Sequence, residues 1–228
     1  MATDAIEKPS TTRRLEAFSD NVFSIAITLL ILEIKIPTAE EIHSSGGLWA
    51  ALATRWPNYI GYLMSFLVVG VMWTNHHAIF EYLRRINRTL IIANLFLLLG
   101  ISFLPFPTAV LADHLGDEST RSAATAFYGA TLAFTSLMFN ILWWVGRSEE
   151  RFVESSMPEH GRRTITVRYA VALVSYVIAT FLAFVNVWLS LAIHLVLTWW
   201  NAFSERKKKN EDGLLAEIAD SVTKSDKS

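Results

Sequence analysis

Apolar residues in this chain gather into long blocks divided by short charged stretches. Six blocks can be marked, at about 15–36, 57–80, 89–111, 122–145, 167–184 and 188–203. Blocks of roughly 20 residues match the ~30 Å thickness of a bilayer's hydrocarbon core, so each reads as a membrane-crossing helix. The first stops before Pro37, which disfavours helix in the residue ahead of it. The second opens on Pro57, acceptable in a first helical turn. The third carries Pro105 and Pro107 near its far end, where a kink is expected. Between the blocks, residues 37–56 read as a loop with Glu40, Glu41, Ser44, Ser45, Gly46 and Gly47. Arg84, Arg85 and Arg88 form a tight basic connection, residues 113–118 an acidic loop, and a long charged loop reaches Arg168.

The fifth and sixth blocks are separated only by Val185, Asn186 and Val187 and could instead be one long helix. Charge favours the break. With six crossings and an interior N-terminus, every basic residue except Lys35, Arg55 and Arg121 falls on one side. The positive-inside rule then puts both termini in the cytosol. Most of the eight tryptophans lie near block ends, where interfacial anchoring accounts for them.

The fold class expected is all-α: a polytopic membrane protein with six transmembrane helices per chain. Residues 1–13 form a cytosolic N-terminal segment, 14–204 the transmembrane domain and 205–228 a basic cytosolic tail. In that tail Leu214, Leu215, Ile218 and Val222 stand at helical spacing. With 52 % hydrophobic residues among 228, too little polar chain remains for a second soluble domain. A net charge of −1 gives no reason to expect a nucleic-acid partner, and the absence of cysteine excludes disulfides and thiolate metal sites. Arg13-Arg14 faintly resembles a twin-arginine signal, but Asp20 and Asn21 interrupt the start of the apolar run, so a retained helix is expected.

The first block holds the chemistry. Asp20 sits just inside its start, and a carboxylate at the edge of hydrocarbon is a functional-site hypothesis by default. Ile25, Thr28, Leu29 and Leu32 share a helix face, which ordinary packing would also explain. Asp20 lies roughly 140° around the helix from Ile25 at 100° per residue, so the two serve different purposes. If one faces a pore, the other faces neighbouring helices. Asp20, Ser19 and Arg14 are then expected to form a polar cluster locking this helix to its neighbours, because buried carboxylates persist when paired. Trp73, Asn75, His76 and His77 in the second block and Asn94 in the third are available partners. His77 reads as a hydrogen-bonded packing residue, with a proton relay as the rival. His77 and Glu81 stand at i, i+4, yet no third ligand is near enough in sequence to suggest a metal site.

Enzyme chemistry finds no support: no glycine-rich phosphate loop or zinc-protease motif is present. The paired intramembrane carboxylates and internal repeat expected of many secondary transporters are also missing.

Arg14-x-x-x-Phe18-Ser19-Asp20, opening the first of six spans, resembles the signature of the transmembrane protein 175 family of potassium channels in its bacterial single-repeat form. Trp73-x-x-x-His77 and Asn94 are similar to further features of that family. The resemblance implies a homotetramer whose pore is lined by four copies of the first helix. Rings of apolar side chains at Ile25, Leu29 and Leu32, with a hydroxyl at Thr28, would replace a carbonyl filter. Arg14, Phe18, Ser19 and Asp20, with Trp73, His77 and Asn94, would tie the first helix to the second and third. The chain has no Thr-Val-Gly-Tyr-Gly segment.

The function expected is therefore a potassium channel with modest preference over sodium, not an enzyme, with no cofactor and no resident metal. A proton-coupled secondary transporter and a proton-conducting channel using the same pore are the alternatives. The expected location is a plasma (inner) membrane.

Overall fold

The computed structural model describes residues 10–83, 85–148 and 159–200. The described residues form α-helices and one 3-10 turn. Helix α1 spans Ser10–Leu29 and runs into a 3-10 turn at Leu30–Glu33. Two short helices follow, α2 (Ala39–Ser44) and α3 (Leu48–Thr54). The long α4 (Trp56–Tyr82) precedes α5 (Arg88–Phe103) and α6 (Pro105–His114), which together make one apolar span. Helix α7 is Arg121–Arg147 and α8 is Glu159–Leu182; a shorter apolar helix, α9, covers Val187–Trp200. Among the described residues, five spans are long and apolar enough to cross a membrane.

The boundaries follow from local chemistry. Neither Pro105 nor Pro107 can donate a backbone hydrogen bond, and the helix breaks at Leu104, as their positions predict. Thr108 bridges the break by returning its hydroxyl to the Leu104 carbonyl at 2.8 Å. The separation at Asn186 also exists. Its side-chain oxygen accepts from the Leu189 N–H at 3.0 Å, a helix N-cap that starts α9 afresh.

Three local expectations change. Residues 37–56 hold two helices; the first is opened by a reciprocal capping box between Thr38 and Glu41. The loop expected to reach Arg168 ends sooner, for α8 already runs from Glu159 and carries Arg168 within it. Two tryptophans are not interfacial anchors: Trp143 is buried and donates to Thr166 at 2.9 Å, and Trp73 bonds an acidic side chain in α1. Trp49 is 85 % exposed, and Trp56 stacks on Trp188 at 6.1 Å. Arg84 and the 205–228 tail, with its amphipathic pattern, lie outside the described residues.

Helix α7 is the hub. It packs on α5, α6 and α8, while α1 packs on α4 and α5 at the edge of the bundle. Small residues allow the close approaches. A Cβ on Gly100 of α5 would stand 2.7 Å from Thr135 Oγ1 of α7. One on Gly129 of α7 would stand 2.6 Å from Thr180 Oγ1 of α8 and 3.0 Å from His194 Nε2 of α9. The fully buried Leu97, Ile101, Leu132 and Leu142 fill the space between. Some polar groups inside are paired across helices: the Ser65 hydroxyl lies 2.7 Å from that of Thr108 and 3.1 Å from that of Tyr128.

On the α2–α3 side, Arg55 clasps both oxygens of Glu41 at 2.8 and 2.7 Å. The Thr38 backbone N–H bonds the same carboxylate, and with Arg55 it holds Glu41 below the usual carboxylate range. Lys35 pairs with Asp113, tying the end of α1 to α6.

Candidate permeation helix and its polar anchor

Helix α1 has two faces of different character. One is buried against α4 and α5: Ser19, Phe23, Ala26 and Leu30, at spacings of four, three and four. The other is open: Arg14, Phe18, Asn21, Ile25, Thr28, Leu29 and Leu32, with Ile25 58 %, Leu29 42 % and Leu32 69 % exposed. Only 28 % of the best apolar window in this span is buried, against 50 % or more in the next three. A helix surrounded by lipid would carry apolar residues throughout that open face. Here Asn21, Ser24 and Thr28 interrupt it, and polar groups in membrane helices favour a protein or water-lined surface over lipid.

The Thr28 hydroxyl is oriented by its own backbone. Oγ1 lies 2.9 Å from both the Ser24 and the Ile25 carbonyl oxygens, so its single proton is turned inward. What the side chain offers outward is the oxygen lone pairs, the feature a cation uses.

The buried face is held by a directed chain of hydrogen bonds. The Asn94 amide donates to Ser19 Oγ at 2.9 Å, and Ser19 donates to the Leu15 carbonyl at 2.9 Å. With its nitrogen so engaged, Asn94 Oδ1 must accept, and the donor 2.9 Å away is His76 Nε2. In a neutral ring that assigns the proton to Nε2. His76 Nδ1 is then a buried acceptor without a hydrogen-bond partner. Its ring is stacked on Phe80 (4.4 Å) and tilted against Phe23 (5.3 Å), an apolar setting that fixes its plane.

A second contact lies beside the first. Trp73 Nε1 donates to Asp20 Oδ1 at 2.9 Å. Trp73 stacks on His77 at 6.0 Å, and His77 Nδ1 faces Glu16 Oε1 at 3.3 Å while Nε2 faces Glu81 Oε1 at 3.7 Å.

The structure thus joins Ser19, Asp20, Trp73 and Asn94 at the α1–α4–α5 junction, and leaves Ile25 apart from them on the open face. Arg14 and Phe18 are on the open face and do not enter that cluster. The histidine that reaches Asn94 is His76 rather than His77, which engages Glu16 instead. The family resemblance implied His77, through Trp73-x-x-x-His77, with His76 standing among the available partners. The signal for His76 was the wheel: it shares a face with Ile79 and Phe80, both buried, whereas His77 is half-exposed. Glu16, unremarked in the sequence, is the acidic partner. Among the described residues no group of three or more potential metal ligands occurs.

Comparison with known proteins adds the lineage. Residues 14–105 match the family described as "Endosomal/lysosomal potassium channel TMEM175". A potassium channel of Streptomyces collinus is 40 % identical over 192 residues, 84 % of this chain and 92 % of that one. The crystal structure of a lysosomal potassium-selective channel TMEM175 homolog from Chamaesiphon minutus superposes with a TM-score of 0.78 at 37 % identity, covering 86 % of this chain and 98 % of that one. The human endosomal/lysosomal proton channel TMEM175 is 32 % identical over 147 residues, 61 % of this chain but 28 % of its own.

These relatives correct one expectation. The plasma (inner) membrane assignment does not stand, since the family and its vertebrate members carry an endosomal/lysosomal designation. Hydropathy and charge report insertion and orientation. They do not report which membrane receives the chain. The integral-membrane, multi-helix character stands.

Proposed function

Because the chain belongs to the TMEM175 family, we propose that it is a potassium-selective cation channel whose path is lined by the open face of α1. The observation that carries this reading is the stripe of Ile25, Thr28, Leu29 and Leu32, left uncovered by its own chain while the opposite face is locked by hydrogen bonds. The family is one of ion channels, so no catalytic role is assigned.

One stripe on one helix encloses nothing. Copies must bring their stripes together around an axis, and a homotetramer is the assembly proposed. The channel domain spans 14–204, flanked by 1–13 and the basic 205–228. Each chain contributes six crossings, with α9 as the sixth. At 1.5 Å per residue α9 is about 21 Å long over its described residues.

The mechanism follows from the side chains. Rings of Ile25, Leu29 and Leu32 have no polar atom to replace hydration water, so a narrow ring stops ions by dewetting. Conduction needs the ring to widen enough for a partly hydrated cation. Potassium gives up water more cheaply than sodium, which favours it at an apolar constriction. Four Thr28 oxygens add lone pairs one helical turn from Ile25. The preference is modest, because no carbonyl cage takes over the full hydration shell. Ser19, Asp20, Trp73, His76 and Asn94 act from behind, holding α1 at the rotation that presents the stripe.

A proton current through the same path is the second reading. It is favoured by the human relative's description as a proton channel. Proton-coupled secondary transport has no such support.

The test is the reversal potential of purified protein in planar bilayers under opposed potassium and sodium gradients, repeated with a pH gradient. A reversal potential shifted toward that of potassium is expected. One that follows the proton gradient selects the second reading, and folded, inserted protein carrying no current refutes both.

A further inference from the structure

Arg168 is a cation inside an apolar span. It lies about 10 Å along from the start of the Gly161–Leu182 stretch of α8, where an ionisable side chain is retained for pairing or function. Its guanidinium donates from Nη2 to Asn75 Oδ1 and stands 5.8 Å from the centroid of the Tyr169 ring. Asn75 is buried in α4, on the turn that also bears Trp73 and His76. That single turn therefore reaches α1 twice, through Trp73 to Asp20 and through His76 and Asn94 to Ser19, and reaches α8 once.

The link to α8 is unlike the packing around it. Helix α4 packs on α6, α1 and α3, and α8 packs on α7, so the Arg168–Asn75 bond joins two helices whose main neighbours are others. Beside it is a small cavity of about 30 Å³, lined among others by Asn75, Ser136, Tyr176 and Thr198. Such a volume holds one water among polar partners. Packing on this side of α4 is therefore incomplete beside Asn75.

We propose that Arg168 is a positioning residue for the permeation path: by clamping Asn75 it sets the rotation of α4 at which Trp73 and His76 hold the first helix. This rests on the reading of α1 as the pore helix. The geometry is demanding. Side chains extend about 5 Å from a helix axis. A rotation of roughly 20° therefore displaces their ends by about 2 Å, and a 2.9 Å hydrogen bond is lost well before that. The control is exerted across α4, from a helix that contributes nothing to the exposed stripe.

The experiment compares wild type with Arg168→Met, Asn75→Leu, their double variant and Asn75→Asp, which keeps an acceptor for the guanidinium. Single-channel recording gives open probability and unitary conductance. Hydrogen exchange over residues 15–30 reports the seating of α1 independently of current. The single variants are expected to lower open probability roughly tenfold, the scale of one charge-assisted hydrogen bond. Unitary conductance and reversal potential should stay unchanged, because the ring side chains are intact. The double variant should be no worse than either single one, and Asn75→Asp should behave as wild type. Exchange over 15–30 should rise in the variants that lose the bond. Additive effects, or unaltered open probability and exchange, would overturn the proposal. So would a loss of stability in Arg168→Met with exchange over 15–30 unchanged. If wild type carries no current, the channel reading fails, and exchange over 15–30 still decides whether Arg168 seats α1.

Discussion

Replacing Asn94 by leucine tests whether the directed hydrogen-bond chain holds the first helix. Asn94 is fully buried and bonds in two directions, to Ser19 Oγ and from His76 Nε2, each at 2.9 Å. The two partners do not suffer equally. Ser19 keeps its own bond to the Leu15 carbonyl, so it loses only an incoming donor. An interhelical hydrogen bond in a membrane averages about 0.6 kcal/mol. His76 loses the acceptor of its N–H, and Nδ1 already lacks a partner, so the ring is stranded in an apolar pocket. Stranding a buried polar group costs about 1–3 kcal/mol. Asn94→Leu is therefore expected to destabilise by roughly 2–3 kcal/mol. The assay is equilibrium unfolding in mixed micelles with increasing SDS, followed by helical circular dichroism. His76→Phe supplies the sharper half of the test. It keeps the stacking on Phe80 and removes the polar atoms, so the double variant replaces both partners by apolar groups. It should recover about 1 kcal/mol or more relative to the sum of the single changes. Strict additivity, or an Asn94→Leu protein as stable as wild type, would refute the reasoning.

Three other outcomes are expected. Ile25→Asn puts polar atoms into the proposed constriction and should raise potassium flux in planar bilayers; an unchanged current would place the constriction elsewhere. Gly129→Ala forces a Cβ to within 2.6 Å of Thr180 Oγ1, which is itself bonded to the Tyr176 carbonyl at 2.7 Å, so strain of about 1–3 kcal/mol should lower the melting temperature in detergent. Glu41 is held below the usual carboxylate range by the Thr38 N–H and Arg55, so its stabilisation of α2 is full above the unfolded carboxylate pKa and disappears as pH falls through the depressed value. Amide protection over residues 41–47, corrected for intrinsic exchange, should fall with acid in wild type, and in Glu41→Gln should be low already and insensitive to pH.

What the sequence determined by itself was where the long apolar helices lie. Hydrocarbon thickness sets the length of apolar blocks, so α1, α4, the α5–α6 span and α7 were legible within a few residues. Prolines announce the break at Leu104 because they lack the N–H it would need, and Asn186 announces its own because an asparagine can cap. Asp20 and the face bearing Ile25 were separable from helical geometry alone.

Partnership was decided only in three dimensions. Adjacent histidines point about 100° apart, and which one meets Asn94 depends on the rotation of α4 against α1 and α5, a consequence of packing along all three helices. Arg168 read as part of a cytosolic loop because a guanidinium weighs heavily against burial in any hydropathy sum. Its bond to Asn75 offsets that weight, and it exists only once α8 lies against the bundle. The two short helices within 37–56 were missed for a similar reason. Their stability comes from a capping box and an arginine clasp, contacts between particular atoms that no average over a window of residues can register.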